Sequence, residues 1–264
     1  MSLKTEVYMR QDPKVSIITV VYNGVTHLEQ TINSVINQTY NNIEYIIIDG
    51  GSTDGTVELI KKYDKHIDYW VSEKDSGIYD AMNKGIAEAT GEIVGLINAD
   101  DWYETDAVAQ VIETFVNSNA DVVHGSMNIV KENGNSFMKK AELDLSHLKK
   151  GMLLNHPTTF IKRGVYESYG SFNTQYKIAA DWELVLRLWL EGLSFIAIES
   201  ALANFRMGGV SSAHLKDSLL EKHQVRKDHD LIKIADWYYL YDRVKSVLPS
   251  SLLLEISLQR QKRA

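Results

Sequence analysis

The stretch VSIITVVYNG, residues 15 to 24, decides how the rest of the chain is read. From Val15 to Val21 it is almost continuously apolar and β-branched, the pattern of a strand buried on both faces, and Tyr22, Asn23 and Gly24 end it with turn chemistry. Thr26 and Glu29 then read as a T-x-x-E capping box ahead of Leu28, Ile32, Val35 and Ile36, which fall on one helical face. A strand feeding a helix is predicted, and the cycle recurs. IEYIIID (43–49) is a second strand, followed by a glycine-rich turn and a helix over about 54–63. A short strand near 67–71, a helix near 78–89 and the strand EIVGLIN (92–98) complete the series.

Strands alternating with helices make an α/β fold with a mostly parallel central sheet flanked by helices, and ligands on such sheets bind beyond the carboxyl ends of the strands. VYNG, DGGSTDG and NADD should therefore converge on one crevice. The second half reads as more mixed. A helix over 105–117 precedes DVVHGSMNIV and NSFMKK, which flank Glu132-Asn133-Gly134 as a hairpin, and IAADWELVLRLWL (178–190) has helical spacing. From Lys216 onward further helices are expected, including DWYYLYDRVKSVL. The natural division is a catalytic unit over 13–205, made of a more regular part (13–102) and a more mixed part (103–205), followed by a loop and C-terminal helical extension over 206–264.

The 264 residues carry 28 Lys+Arg against 35 Asp+Glu, a formal charge of -7, which gives no global footprint for nucleic acid. With no cysteine, thiolate catalysis and Cys-based zinc sites are excluded. The amino terminus is too polar for a signal peptide and no apolar run is long enough to span a bilayer, so a cytoplasmic location is expected. Trp237, Tyr238, Tyr239 and Tyr241 with the basic end QRQKR suit either an interfacial helix at the inner face of the membrane or, the plainer reading, a helix packed on the catalytic unit or on a second copy in a homodimer.

Two adjacent carboxylates, Asp100 and Asp101, stand at the end of an apolar strand, where they repel one another and resist desolvation. One reading is a helix-capping loop. The other is a cation or phosphate site, since Mg²⁺ or Mn²⁺ is held by one or two protein carboxylates with substrate phosphate completing the shell. Asp49 divides in the same way between capping and ligand binding. The glycines Gly50, Gly51 and Gly55 fit neither a dinucleotide fingerprint nor a P-loop.

The run KVSIITVVYNG, SVINQTYNNIEYIIIDGGSTDGT, EKDSGIYDAMNKGIAEATGE and GLINADDWY, followed by AADWELVLRL and NFRMGGVSS, resembles a family 2 glycosyltransferase of the GT-A fold, in particular members that build bacterial exopolysaccharide. The resemblance covers about residues 13 to 212 and implies a Mn²⁺- or Mg²⁺-dependent, inverting transfer from a nucleoside diphosphate sugar, UDP-linked by preference, to a glycan or lipid-linked acceptor. It maps the DXD-type motif onto Asn98, Asp100 and Asp101. Asp100 would address ribose or metal-bound water and Asp101 the metal. Tyr22 and Asn23 would lie near the base, Asp49 would contact it, and Asp181 would be the general base, with Glu183 as the competing carboxylate. Read from the residues themselves, Arg206 is a candidate diphosphate contact, His214 is either an exposed loop histidine or a ligand of the metal or pyrophosphate, and His156 reads as acceptor-side scaffolding. The chain departs from the family pattern at Gly50, Asn98 and Ala180, where acidic residues are usual. Two rivals follow from the residues. A sugar nucleotidyltransferase would need a basic glycine-rich loop where VVYNG stands, and a catalytically degenerate donor-binding subunit would exploit the three substitutions.

Overall fold

The structure is a computed structural model describing residues 12–207 and 215–232. His214 and the aromatic helix expected around Trp237 lie outside the described residues.

The strands are β1 (Val15–Val21), β2 (Ile43–Asp49), β3 (Tyr69–Ser72), β4 (Ile93–Asn98), β5 (Trp102–Tyr103), β6 (Val122–Val130), β7 (Ser136–Lys139), β8 (Phe160–Lys162) and β9 (Phe195–Arg206). The helices are α1 (Val25–Ile36), α2 (Thr56–Lys62), α3 (Ile78–Glu88), α4 (Ala107–Val116), α5 (Arg163–Tyr169), α6 (Ala180–Leu190) and α7 (Leu215–Asp228). They build one sheet in the order β3-β2-β1-β4-β8-β6-β9-β5, with β7 hairpinned onto β6. The first four strands are parallel, as the alternating pattern requires, and β1 is buried along its whole length because helices cover both faces of the sheet. β8 enters antiparallel to β4 and to β6, so the sheet turns mixed at the middle. The chain moves outward from β1 to β2 and β3, then returns to the other side of β1 as β4. That reversal is a topological switch point, where a crevice opens beyond the strand ends.

Two core layers result. Ile18, Val20, Ile46, Ile48 and Leu96 face Tyr79, Met82 and Trp182, while Ile17, Val21, Ile47 and Ile97 face Leu28, Ile32, Val111 and Phe115. Opposite the crevice, at the foot of the sheet, Glu44 accepts hydrogen bonds from Lys14 Nζ (2.7 Å), Ser16 Oγ (2.5 Å), Thr90 Oγ1 (2.5 Å) and Thr90 N (2.8 Å). Burial alone would raise its carboxyl, but these donors outweigh burial and hold it at about 2.

Local corrections have physical causes. The expected capping box does not form. α1 begins at Val25 after Gly24, and Glu29 reaches instead to Lys62 (2.6 Å) and the Tyr63 hydroxyl (2.7 Å) on the neighbouring helical segment. The capping work comes from another loop: Val25 N donates to Asp54 (3.1 Å) and Gly24 N to Thr56 Oγ1 (3.0 Å). The hairpin after β6 closes through five residues, with Gly134 at φ 81°.

Candidate active site

The parallel register brings three loops to one level. Val21 pairs with Asp49, Val20 with Asn98 and Asp49 with Ser72, so Tyr22, Gly50 and Ala99 leave the sheet side by side. Asn23, at φ 50°, binds the first two loops together: its amide donates to Ser52 Oγ (2.7 Å) and its Oδ1 accepts from Thr53 N (2.9 Å). Tyr22 is left 68% exposed above this junction.

Asp49 has no exposed surface. Its Oδ2 accepts from Gly51 N (3.1 Å), Ser52 N (2.9 Å) and Ser72 Oγ (2.5 Å), and its Oδ1 from Ser52 Oγ (2.5 Å). Direct contact with a base, as the resemblance implied, is not what this geometry offers. The carboxylate is turned inward and is fully occupied shaping the Gly50–Ser52 turn.

The third loop is built differently. Thr31 of α1 places its hydroxyl 2.9 Å from the Ala99 carbonyl and 2.6 Å from that of Asp101, and Gln38 Nε2 donates to the Glu104 carbonyl (2.7 Å). The backbone is thus held from below, but the side chains are left unmatched. Asp101 is fully buried. Its Oδ1 accepts from Arg206 N (3.1 Å), while Oδ2 has no hydrogen-bond partner among the described residues. Burial, reinforced by the charge of Asp100, pushes the Asp101 carboxyl up to about 8. Asn98 Oδ1 is likewise buried and unpartnered. The Arg206 guanidinium stands over Trp102 at 5.0 Å and donates to Gln30 (2.8 Å), leaving Nε unpartnered.

Across the crevice, Asp181 sits in the first turn of α6, where the helix dipole favours a carboxylate. Its Oδ1 lies 3.3 Å from the Tyr79 hydroxyl and 2.7 Å from Trp182 N. The preceding loop is fixed by α7, since the Glu221 carboxylate accepts from the amides of Lys177 (2.8 Å), Ile178 (2.8 Å) and Ala179 (2.9 Å). A cleft of about 500 Å³ is lined by Asn98 together with Asp181, Tyr79, His156 and Lys177. Burial pushes the His156 imidazole below its ordinary value, against the pull of Asp181. Glu183 is excluded from the cleft chemistry: it is buried, salt-bridged to Arg187 (2.9 Å) and 3.1 Å from His229.

The model of the family described as Glycosyl transferase family 2 matches residues 16–178, more than half of the chain. The chain belongs to glycosyl transferase family 2.

This glycosyltransferase is 31% identical over 181 residues to a PGL/p-HBAD biosynthesis glycosyltransferase of Mycobacterium bovis, covering 66% of the chain and 69% of the relative. Among solved structures it superposes on S. aureus TarS 1–349 in complex with UDP-GlcNAc with a TM-score of 0.69 (18% identity, 87% of this chain and 69% of that one). It also superposes on the mannosyltransferase PcManGT of Pyrobaculum calidifontis in complex with GDP-Man and Mn²⁺, with a TM-score of 0.67 (18% identity, 94% and 80%). The fold is therefore GT-A, as the sequence resemblance implied.

Of the site residues expected from the sequence of this glycosyltransferase, Asn98 and Asp181 line the cleft; Tyr22 and Asn23 follow the end of β1, Asp100 follows the end of β4, and Arg206 ends β9 with its amide on Asp101. Sequence reasoning missed Glu221, which holds the Asp181 loop from 40 residues further along the chain, and Thr31, whose helical position hides its role under the NADD loop. Neither carries a local sequence signal, since each acts on a loop distant in the chain.

Proposed function

We propose that this enzyme transfers a sugar, with inversion, from a nucleoside diphosphate sugar held at the β1, β2 and β4 ends to an acceptor hydroxyl beside Asp181. The observation that carries the reading is the meeting of two unlike groups in one cleft. Asn98, whose buried Oδ1 has no partner, lines it and lies three residues before Asp101, whose Oδ2 is likewise unpartnered, and the helix-start carboxylate of Asp181 lines the same cleft. Unfilled acceptors beside a carboxyl raised to about 8 suit an incoming cation, since the proton now favoured at Asp101 is replaceable by a metal. Among the described residues no three His, Asp or Glu side chains converge, which fits a divalent ion that takes few protein ligands and several from phosphate and water. Asp101 would hold Mn²⁺ or Mg²⁺ with Asp100 nearby, and such an ion supplies Lewis-acid neutralisation of the departing diphosphate. His214, which follows Arg206 and the glycine pair Gly208-Gly209 in the sequence, is a further candidate ligand for the same ion or for the diphosphate.

Asp181 accepts the acceptor's hydroxyl proton as that oxygen attacks the anomeric carbon from the face opposite the diphosphate, a single displacement in which one carboxylate suffices. Tyr79 stands beside it: burial and the neighbouring Asp181 charge keep the phenol well above its ordinary value, and its hydroxyl donates to the Ile178 carbonyl (2.8 Å) with Asp181 Oδ1 3.3 Å away. The complexes of TarS with UDP-GlcNAc and of PcManGT with GDP-Man and Mn²⁺ support a nucleoside diphosphate sugar and a divalent ion. A UDP-linked donor is the preferred assignment, and the biosynthetic relative supports a surface glycan or glycolipid acceptor.

Calorimetric titration with UDP, GDP and ADP, each with and without Mn²⁺, on wild type and Asp101→Ala tests the donor site. Binding that needs both Mn²⁺ and Asp101 is expected. Absence of nucleotide binding under every condition would sink the reading. Asp181→Asn should leave that binding intact and lower turnover by about 10²- to 10⁴-fold, the range of a lost general base.

A further inference from the structure

Gly50 follows the end of β2, and its backbone does not require glycine, because its φ lies outside the left-handed region. What requires glycine is a neighbour. A Cβ at position 50 would stand 2.4 Å from Asp75 Oδ2, 3.3 Å from Asp75 Cγ and 3.4 Å from Tyr22 Cδ2. The Asp75 carboxylate therefore fills the space that a side chain at 50 would enter, and the exposed ring of Tyr22 borders the same space.

Asp75 is also pre-set. Its Oδ1 accepts from Gly77 N (2.9 Å) in a turn that opens α3, which fixes the carboxylate plane. Its Oδ2 accepts no hydrogen bond among the described residues, whereas every oxygen of nearby Asp49 is engaged. A half-buried carboxylate oxygen held free beside an exposed aromatic face matches a planar ligand that stacks on the ring and donates an N–H at its edge.

We propose that Asp75 is a donor-specificity residue, selecting nucleobases with a ring N–H, uracil or guanine, over adenine and cytosine. The inference rests on the donor site proposed above. Uracil presents its imide N3–H and guanine its N1–H with the adjacent amino group, both more acidic donors than an exocyclic amine alone. Adenine and cytosine present a ring-nitrogen lone pair at the same place, which a carboxylate repels. The β3–α3 loop brings the Asp75 carboxylate to the end of β2, and Gly50 makes room for it.

The test is titration of the full chain with UDP, GDP, CDP and ADP in Mn²⁺, for wild type, Asp75→Ala, Asp75→Asn and Gly50→Asp/Asp75→Ala. Wild type should bind UDP or GDP at least about tenfold more tightly than CDP and ADP, the scale of one charge-assisted hydrogen bond. The winner of the UDP and GDP arms identifies the base. Asp75→Ala and the near-isosteric Asp75→Asn should lose that preference while retaining Mn²⁺-dependent binding, and the double variant should recover part of it. Wild type that prefers CDP or ADP overturns the proposal. So does an unchanged preference in Asp75→Asn. If wild type binds nucleotides with no dependence on Asp101, the donor-site reading fails instead, and this inference fails with it.

Discussion

Two strands of the parallel half, β2 and β4, each deliver a fully buried aspartate to the same crevice, and the two side chains are in opposite states. Asp49 at the end of β2 receives four hydrogen bonds from Gly51, Ser52 and Ser72. Asp101, just past the end of β4, receives one from Arg206 N and keeps an oxygen without a partner. Burial is equal, so burial does not mark the ligand site. Unfilled hydrogen-bonding capacity does, because a folded chain seldom leaves a buried acceptor unmatched unless something else is to complete it.

Exchange of each carboxylate in turn should separate the two states. Asp101→Ala is expected to reduce transfer by about 10³-fold or more, since one unit-charge pair at 4 Å near a protein surface is worth ~4 kcal/mol, or about three decades in rate. Its melting temperature should equal or exceed that of wild type, because a buried, half-satisfied carboxyl is removed; a variant that loses stability would break the contrast. Asp49→Ala should behave in reverse, losing about 2–4 kcal/mol in denaturant unfolding because the Gly51 and Ser52 amides and two hydroxyls lose their acceptor together.

Acidity sharpens the same contrast. Asp101 titrates near about 8 in the fold and near about 4 in an unfolded chain. Between those values the folded state holds a proton that the unfolded state has released. The metal-free protein should therefore lose stability as pH rises from about 4 to about 8, and Asp101→Asn should abolish that slope in thermal unfolding curves. Mn²⁺ must displace the same proton, so its affinity should climb by up to about tenfold per pH unit across that range when followed by calorimetry. A remote control completes the set: Gly134→Ala, at φ 81° in the β6–β7 turn with open space around it, should cost only about 1 kcal/mol and leave nucleotide binding untouched.

The parallel half was legible because its signals are local. The all-buried runs at 15–21 and 43–49 coincide with β1 and β2, and NADD lies where the strand ends it. The mixed half was less so. β9 was not anticipated: Glu199 and Ser200 interrupt its apolar pattern, and its pairing with β6 carries two register shifts around Ser126 that no periodicity announces. β8 has only three residues and is a strand because β4 and β6 flank it. At the site, residue types at strand ends could be read directly, but their engagement could not. Whether Asp49 or Asp101 is saturated depends on Ser72 and Arg206, brought in from 23 and 105 residues away. The capping box failed for the same reason, because Asp54 and Thr56 outcompete local partners once β1 and β2 pair.

The Glu44 cluster has a consequence for engineering. It clasps β1, β2 and the segment before β4 at the end farthest from the crevice, through Lys14, Ser16 and Thr90. None of its members belongs to the three strand-end loops. Substitutions at exposed loop positions such as Tyr22 thus leave that clasp untouched, whereas a graft of segment 49–56 has to bring its own replacement for the hydrogen bonds of Asp49, Asp54 and Thr56.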